Sequence, residues 1–230
     1  MCGVEGGDRM TRLFDIAFSL AAMLLLLPLM LPIMLILKCT GEHDIFYKQT
    51  RIGRDGKEFG VFKFATMLRN SPNMAGGVLT QKDDPRVLPF GKFLRKTKIN
   101  ELPQLINILL GEMSFVGPRP QAKQHYEIYS DRVKAAIDKI RPGLTGIGSL
   151  VFRDEEKLLD AAQDRNAFYV NVIAPYKGEL EIWYSKHRNI WTYFLLIFMT
   201  AWSIVKPGTR IYTYFFKGLP QPPNELKAIL

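Results

Sequence analysis

Cysteine is nearly absent from this 230-residue chain. Cys2 and Cys39 are the two present, with no CxxC pair and no Cys/His cluster, so neither a disulfide framework nor a zinc site is implied. A reducing, cytoplasm-facing location fits that scarcity. Histidine is just as sparse: His43, His125 and His187 are scattered and form no ligand set or catalytic triad. Acidic residues are outnumbered, 22 against 31 lysines and arginines, and the formal charge of +9 points to anionic partners such as lipid headgroups or phosphorylated substrates. Nucleic acid is the remaining anionic class, and no nucleic-acid-binding motif is visible, so it is not expected among the partners. With 47% hydrophobic residues the chain is too apolar for disorder and long enough for one domain with its own core.

Charge is missing altogether from residues 16–37, an apolar run long enough at about 1.5 Å per residue to cross a hydrocarbon layer of about 30 Å. Pro28 and Pro32 interrupt it, and each removes a backbone hydrogen bond that lipid cannot replace, so the segment is expected to bend. Basic residues flank both ends, Arg9 and Arg12 before it and Lys38, Lys48, Arg51 and Arg54 after it. The positive-inside rule is satisfied best if both ends stay on the cytoplasmic side, which predicts a re-entrant helix-break-helix with its break at Pro28. An ordinary kinked span is the competing reading.

Two β-rich runs between residues 44 and 64 surround the turn signal Arg54-Asp55-Gly56 and read as a hairpin. Residues 70–77 are polar, with Pro72 and a glycine pair, and read as a mobile loop. The charged stretch Asp83-Asp84-Pro85-Arg86, followed by Lys92-Phe93-Leu94-Arg95-Lys96, reads locally as a surface salt-bridge network. An amphipathic helix is expected over residues 126–140, stopped by Arg141-Pro142-Gly143, and Asp154-Glu155-Glu156 suits the start of another helix better than a metal cluster. Residues 190–205 are uncharged but short for a span. With Trp191, Tyr193 and Trp202 toward the ends they read as a helix in the membrane interface, or else as a buried core helix. The proline-bearing tail, with Pro207, Pro220, Pro222 and Pro223, reads as irregular.

The chain is organised around residues 96–121, KTKINELPQLINILLGEMSFVGPRPQ. Leu102, Leu105, Ile106 and Leu109 have the spacing of a helical stripe ended by Gly111. If Asn100 is the N-cap and Glu101 the first helical residue, Pro103 lies in the first turn, where its missing N–H costs nothing, and the pair sits where helix N–H groups favour an anion. The bland alternative is a cap and a dipole complement. Beyond Gly111, Pro118 and Pro120 fix the backbone on either side of Arg119, which suits bidentate capture of a phosphate or carboxylate.

The order N-E-L-P-Q-L-x-N-x-L-x-G-E-M-S-F-V-G-P-R-P resembles the core signature of the bacterial sugar transferases, the monotopic phosphoglycosyl transferases, and the likeness runs from about Phe14 to Val205. In that family an Asp-Glu dyad stands where this chain has Asn100 and Glu101. The resemblance implies that the first carboxylate attacks the β-phosphate of a nucleotide diphosphate sugar, releases nucleoside monophosphate and passes the phosphosugar to polyprenyl phosphate. It implies that Glu101 is associated with Mg²⁺. It further implies that Lys63 and Arg95 lie near the substrate phosphates, that Arg141 and Arg153 contact phosphate or nucleotide, and that Asp84, Arg86, Pro118 and Pro120 support the site. The re-entrant helix of small members breaks at a Ser-Pro pair, matched here by Leu27-Pro28. The usual Q-V-N-G-R continuation is replaced by Ser149-Leu150-Val151-Phe152-Arg153, so no sugar specificity carries over.

The resulting expectation is an α+β protein. A re-entrant membrane helix occupies residues 1–40, a small cytoplasmic α/β catalytic domain with a short β-hairpin residues 41–189, and an interfacial apolar helix with an irregular tail residues 190–230. The expected activity is transfer of a sugar 1-phosphate from a nucleotide sugar, UDP-linked by resemblance, to polyprenyl phosphate, with Mg²⁺, at the cytoplasmic face of a bacterial inner membrane. This would be the first membrane step of a polysaccharide, lipopolysaccharide or glycoprotein pathway. Membrane lipids are expected partners, and a homodimer is left open. Because an amide is a poor nucleophile that does not ionise near neutral pH, a covalent phosphoaspartate cannot form on Asn100. Glu101 as nucleophile, Glu101 as base for direct attack by the lipid phosphate, Asn100 as a trapping substitution, and a catalytically silent membrane scaffold of the same fold therefore all stay open.

Overall fold

In a computed structural model, residues 2–74, 84–206, 208 and 210–227 are described. Helix α1 runs Cys2–Cys39, and its part Asp8–Cys39 is, by length and composition, the one described helix apolar enough to cross a membrane. Leu24, Leu25 and Leu35 are exposed along it. The helix continues through Pro28 and Pro32, which corrects the expected break into two helices at Pro28. Proline already has a helical φ. What it removes is one hydrogen bond and the room for a carbonyl four residues back, which bends a helix without ending it.

Strands β1 (Phe46–Ile52) and β2 (Glu58–Phe64) pair as the anticipated hairpin. Its turn at Arg54–Gly56 needs left-handed backbone at Asp55 and Gly56, with φ of 60° and 67°, residues that tolerate it. Then follow α2 (Pro89–Lys96), α3 (Gln104–Leu110), β3 (Ser114–Val116), α4 (Lys123–Ile128), α5 (Asp131–Ile137) and β4 (Gly143–Thr145). The chain continues with α6 (Ile147–Val151), α7 (Glu155–Ala161), α8 (Arg165–Phe168), a π-helical turn at Tyr169–Ile173, α9 (Ala174–His187), α10 (Ile190–Val205), α11 (Tyr212–Phe215) and α12 (Asn224–Lys227). The mixture of helices with two small two-stranded sheets is an α+β architecture. The expected loop over residues 70–77 lies outside the described residues from 75 onward, as do Asp83 and Pro207.

Two units emerge. The first comprises Ile16–Thr50 and Gly60–Leu110. Its core joins Met30, Ile33 and Leu37 of α1 to Phe64 of β2 and Leu94 of α2, with Phe46 and Phe64 stacked 5.7 Å apart. Gly91 is required there, because a Cβ would stand 2.3 Å from the Thr66 carbonyl. On α3 the buried residues are Gln104, Leu105, Asn107 and Ile108, so of the expected stripe only Leu105 is fully buried. The face is turned by Asn107, whose side chain accepts from Phe62 N at 2.9 Å and donates to Gly60 O at 2.8 Å. That pair of hydrogen bonds satisfies β2 backbone that would otherwise be left without partners.

The second unit comprises residues 1–15, Arg51–Phe59 and Gly111–Leu230. Its core is built on α9, with Tyr176, Leu180, Ile182, Trp183 and Tyr184 buried, and includes Val133 and Ile137 of α5 and Leu196 and Met199 of α10. Strand β3 pairs in parallel with β4, Ser114 opposite Gly143 and Val116 opposite Thr145. Parallel pairing demands a long crossover, supplied here by α4 and α5. These two helices replace the single helix expected over residues 126–140: Tyr129, buried at 5% exposure with φ −67° and ψ 139°, leaves the helical region to enter the core. On α10 the core-helix reading holds for one face only. Thr192, Tyr193, Leu196 and Met199 are buried, while Trp191, Phe198, Ile204 and Val205 are exposed. The tail is irregular apart from the single turns α11 and α12.

Candidate active site

Seven residues join α2 to α3. Thr97 closes α2, its hydroxyl bonding Phe93 O at 2.9 Å, and Lys98 takes a left-handed conformation with φ 61°. A 3₁₀ turn then spans Ile99–Glu101, held by Glu101 N to Lys98 O and Leu102 N to Ile99 O, both 3.1 Å. Asn100 is therefore not the N-cap of α3 and Glu101 not its first residue. The pair occupies its own tight turn, and Pro103 precedes α3 directly. Leu102 already has helical backbone, with φ −55° and ψ −36°, and Leu105 N and Ile106 N donate to Leu102 O and Pro103 O, both at 3.0 Å, so the missing Pro103 N–H costs nothing at the start of the ladder.

Within that turn Glu101 and Lys63, from β2, come together, Nζ to Oε1 3.7 Å, with each side chain about one-fifth exposed (19% for Lys63, 21% for Glu101). Asn100 is buried, at 7% exposure, and its Oδ1 has no hydrogen-bond partner among the described residues. Leaving a buried amide oxygen unpaired costs about 1–3 kcal/mol. Such an atom in a native fold calls for a partner, and a ligand is one. Arg95 lies half-buried in the last turn of α2.

Asp84 and Arg86 correct the surface-network expectation. Arg86 is 1% and Asp84 4% exposed. The guanidinium donates through Nε to Oδ1 at 2.9 Å and through Nη2 to Oδ2 at 2.6 Å, and its Nη1 donates to Ser71 O at 3.0 Å. This is a buried two-pronged pair that pins the segment leading into α2.

The other predicted residues belong to the second unit. Pro118 is buried and Arg119 exposed, beside a small cleft that Tyr126, Asp138 and Pro142 also line. Gly117 permits the close approach of this loop to the segment before β4, since a Cβ would lie 2.2 Å from Arg141 O. Arg141 is half-buried and Arg153 exposed just past α6. Burial first, and then repulsion from Arg12 and Arg54, pushes the Arg141 pKa below the ordinary arginine value.

Sequence reasoning missed two buried polar centres of this unit. Asp15, at the edge of the apolar run, accepts on Oδ1 from Ser114 Oγ at 3.0 Å, Phe115 N at 3.0 Å and Tyr193 Oη at 2.8 Å. On α9, Lys177 and Glu181 are both buried. Lys177 pairs with Glu155, and burial pushes Glu181 up to about 7. The i, i+4 spacing of Lys177 and Glu181 was legible, but it reads equally well as a solvated pair. The acidic start of α7 is as expected, with Glu155 turned inward to Lys177. Among the described residues no group of three His, Cys, Asp or Glu side chains is placed to hold a metal by itself.

Comparison with known proteins bears on the whole of this arrangement. A family model described as bacterial sugar transferase matches residues 7–207. The chain is 34% identical over 197 residues to a UDP-glucose:undecaprenyl-phosphate glucose-1-phosphate transferase of Klebsiella pneumoniae, covering 84% of this chain and 39% of that protein. It is 31% identical over 212 residues to an undecaprenyl-phosphate galactose phosphotransferase of Salmonella typhimurium, covering 86% of this chain and 40% of the relative. An exopolysaccharide production protein, PSS, of Rhizobium leguminosarum bv. phaseoli is 38% identical over 146 residues, 61% of this chain and 73% of its own. The chain thus spans about two-fifths of the length of the first two relatives. With the match extending over nearly all of its described residues, the chain belongs to the bacterial sugar transferase family.

Proposed function

We propose that this chain is a membrane-associated phosphoglycosyl transferase that moves a sugar 1-phosphate from a UDP-linked sugar to polyprenyl phosphate at the cytoplasmic face of the membrane, α1 bending at its prolines, without a break, so that both ends stay on one side. The observation that carries the reading is the Ile99–Glu101 turn: a carboxylate paired with Lys63 beside a buried amide oxygen that lacks a partner among the described residues. The names of the relatives supply the substrate classes, glucose 1-phosphate or galactose phosphate and undecaprenyl phosphate.

The donor set fits Mg²⁺. This ion takes oxygen ligands, commonly one or two carboxylates plus substrate phosphates, and Glu101 with the unpaired Asn100 Oδ1 offers a carboxylate and a neutral oxygen on adjacent residues. Bound there, the ion would offset the charge of the pyrophosphate. Lys63 contributes a fixed positive charge toward the same phosphates, while Arg119, flanked by prolines in the second unit, is by itself a fork suited to phosphate oxygens.

Asn100 rules out a covalent phosphoaspartate, so the transfer is written as a single displacement. An oxygen of polyprenyl phosphate forms a bond to the β-phosphorus. The bond from that phosphorus to the bridging oxygen breaks, and its electron pair leaves with nucleoside monophosphate. The attacking phosphate is already an anion near neutral pH and needs no base, which leaves Asn100 to orient rather than react.

Nucleoside monophosphate release tests this. The unmodified chain should release it only when nucleotide sugar, Mg²⁺ and polyprenyl phosphate are all present. Asn100→Asp, nearly the same shape, should release up to one equivalent without the acceptor and carry a phosphosugar adduct visible by mass spectrometry. No release from the unmodified chain with any nucleotide sugar would establish the scaffold reading instead.

A further inference from the structure

We propose that the second unit contains a binding site for an anionic lipid phosphate, in a cavity of about 290 Å³ framed by Arg54, Arg141 and Arg188. Arg54 comes from the hairpin turn, Arg141 from the residue pair ahead of β4 and Arg188 from the end of α9. One lining carboxylate opposes the three guanidinium groups: Asp8, which pairs with Arg188 at 3.0 Å. Arg141 lies below the ordinary arginine value, first because it is buried and then because Arg12 and Arg54 repel it, with Asp15 and Asp8 pulling the other way. An anion relieves that repulsion.

The rest of the wall is apolar or amphipathic. Met10, Val116, Ile140 and Ile190 line it together with the rings of Tyr184 and Tyr193. A free inorganic anion has no use for such a wall, whereas a phosphate ester on a hydrocarbon chain uses both parts. Position along the chain points the same way. Asp8, Met10 and Thr11 immediately precede the apolar run of α1, and Asn189 and Ile190 begin α10. The cavity thus lies at the polar ends of both apolar helices, where lipid headgroups are found when such helices meet a bilayer. Its volume, near the lower end of the usual range for small-molecule sites, takes a phosphate headgroup and the start of a chain.

Two lipids share this chemistry, an anionic phospholipid and polyprenyl phosphate, and the inference rests on membrane association of α1 rather than on the transfer reaction. It is tested with the full chain in detergent micelles by native mass spectrometry, without nucleotide sugar or Mg²⁺, against phosphatidylcholine, phosphatidylglycerol and undecaprenyl phosphate. The expected result is one equivalent of phosphatidylglycerol or of undecaprenyl phosphate held at least tenfold more tightly than net-neutral phosphatidylcholine. The preferred one identifies the source. Arg54→Gln with Arg141→Gln should remove that preference, and Lys63→Gln should leave it. Arg54 is exposed, so Arg54→Gln alone serves if the double variant fails to fold, with a loss of at least threefold. Equal binding of all three lipids, a preference that survives these substitutions, or displacement by inorganic phosphate at the same concentration as the lipid would overturn the proposal. Nucleoside monophosphate release is read separately, so an inactive chain still answers this question.

Discussion

Lys63 Nζ stands 3.7 Å from Glu101 Oε1, bridging β2 and the turn before α3 with both side chains mostly withdrawn from water. Such a pair couples by about 1 kcal/mol, since partial burial strengthens the attraction while desolvation offsets much of it. Two roles for Lys63 are separable. If it also serves substrate phosphate, Lys63→Gln raises the KM for nucleotide sugar about tenfold with a smaller change in kcat. Glu101→Gln is expected to lower kcat at least 100-fold and to abolish its dependence on Mg²⁺ concentration. Steady-state kinetics over a Mg²⁺ series checks both.

Asp15 gathers three donors on one oxygen, from Ser114, Phe115 and Tyr193. Asp15→Ala leaves all three without their acceptor and should cost about 3–5 kcal/mol, the range for breaking a buried charged network. Asp15→Asn keeps an acceptor but loses the charge and should cost about 1–2 kcal/mol. Melting temperatures in detergent should therefore fall in the order wild type, Asn, Ala. Equal melting of the three proteins would remove Asp15 from the structural account.

Glu181 carries a pH signature. Its pKa in the folded state, raised from 4.5 to about 7 by burial against the opposing influence of Lys177 and the Gly148 N–H, lies above that of the unfolded chain. The folded protein therefore holds a proton that the unfolded chain releases, and stability declines as pH rises from about 4.5 through about 7. The whole effect is on the order of 3 kcal/mol. Glu181→Gln stays neutral, so it should match wild type below pH 4.5 and be more stable above pH 7. Thermal melts at pH 5 and pH 8 give the comparison.

Topology is tested with the exposed native Cys39 and, in a Cys2→Ser background, a thiol introduced as Arg9→Cys. Re-entry predicts that an impermeant reagent outside intact cells reaches neither until the membrane is opened. Labelling of one end alone means that α1 crosses the bilayer.

Much of the arrangement was legible in the residues themselves. The apolar helix, the hairpin about Arg54-Asp55-Gly56 and the helix end at Gly111 with φ 86° follow from local chemistry: an uncharged run, residues that accept left-handed backbone, and a missing Cβ. The family, too, could be read from residues 96–121. Local rules failed where long-range packing outweighed them. Asn107 turned α3 because β2 needed its amide, Tyr129 divided one expected helix in two because its ring is worth more in the core than on a surface, and Pro28 bent no helix into two because its φ already suits one. The burial of Asp84 with Arg86, of Asp15 and of Lys177 with Glu181 was decided only by the tertiary structure. A charged side chain has the same sequence signature on a surface as in a core. Its energy depends on which partners and how much water the folded chain leaves around it.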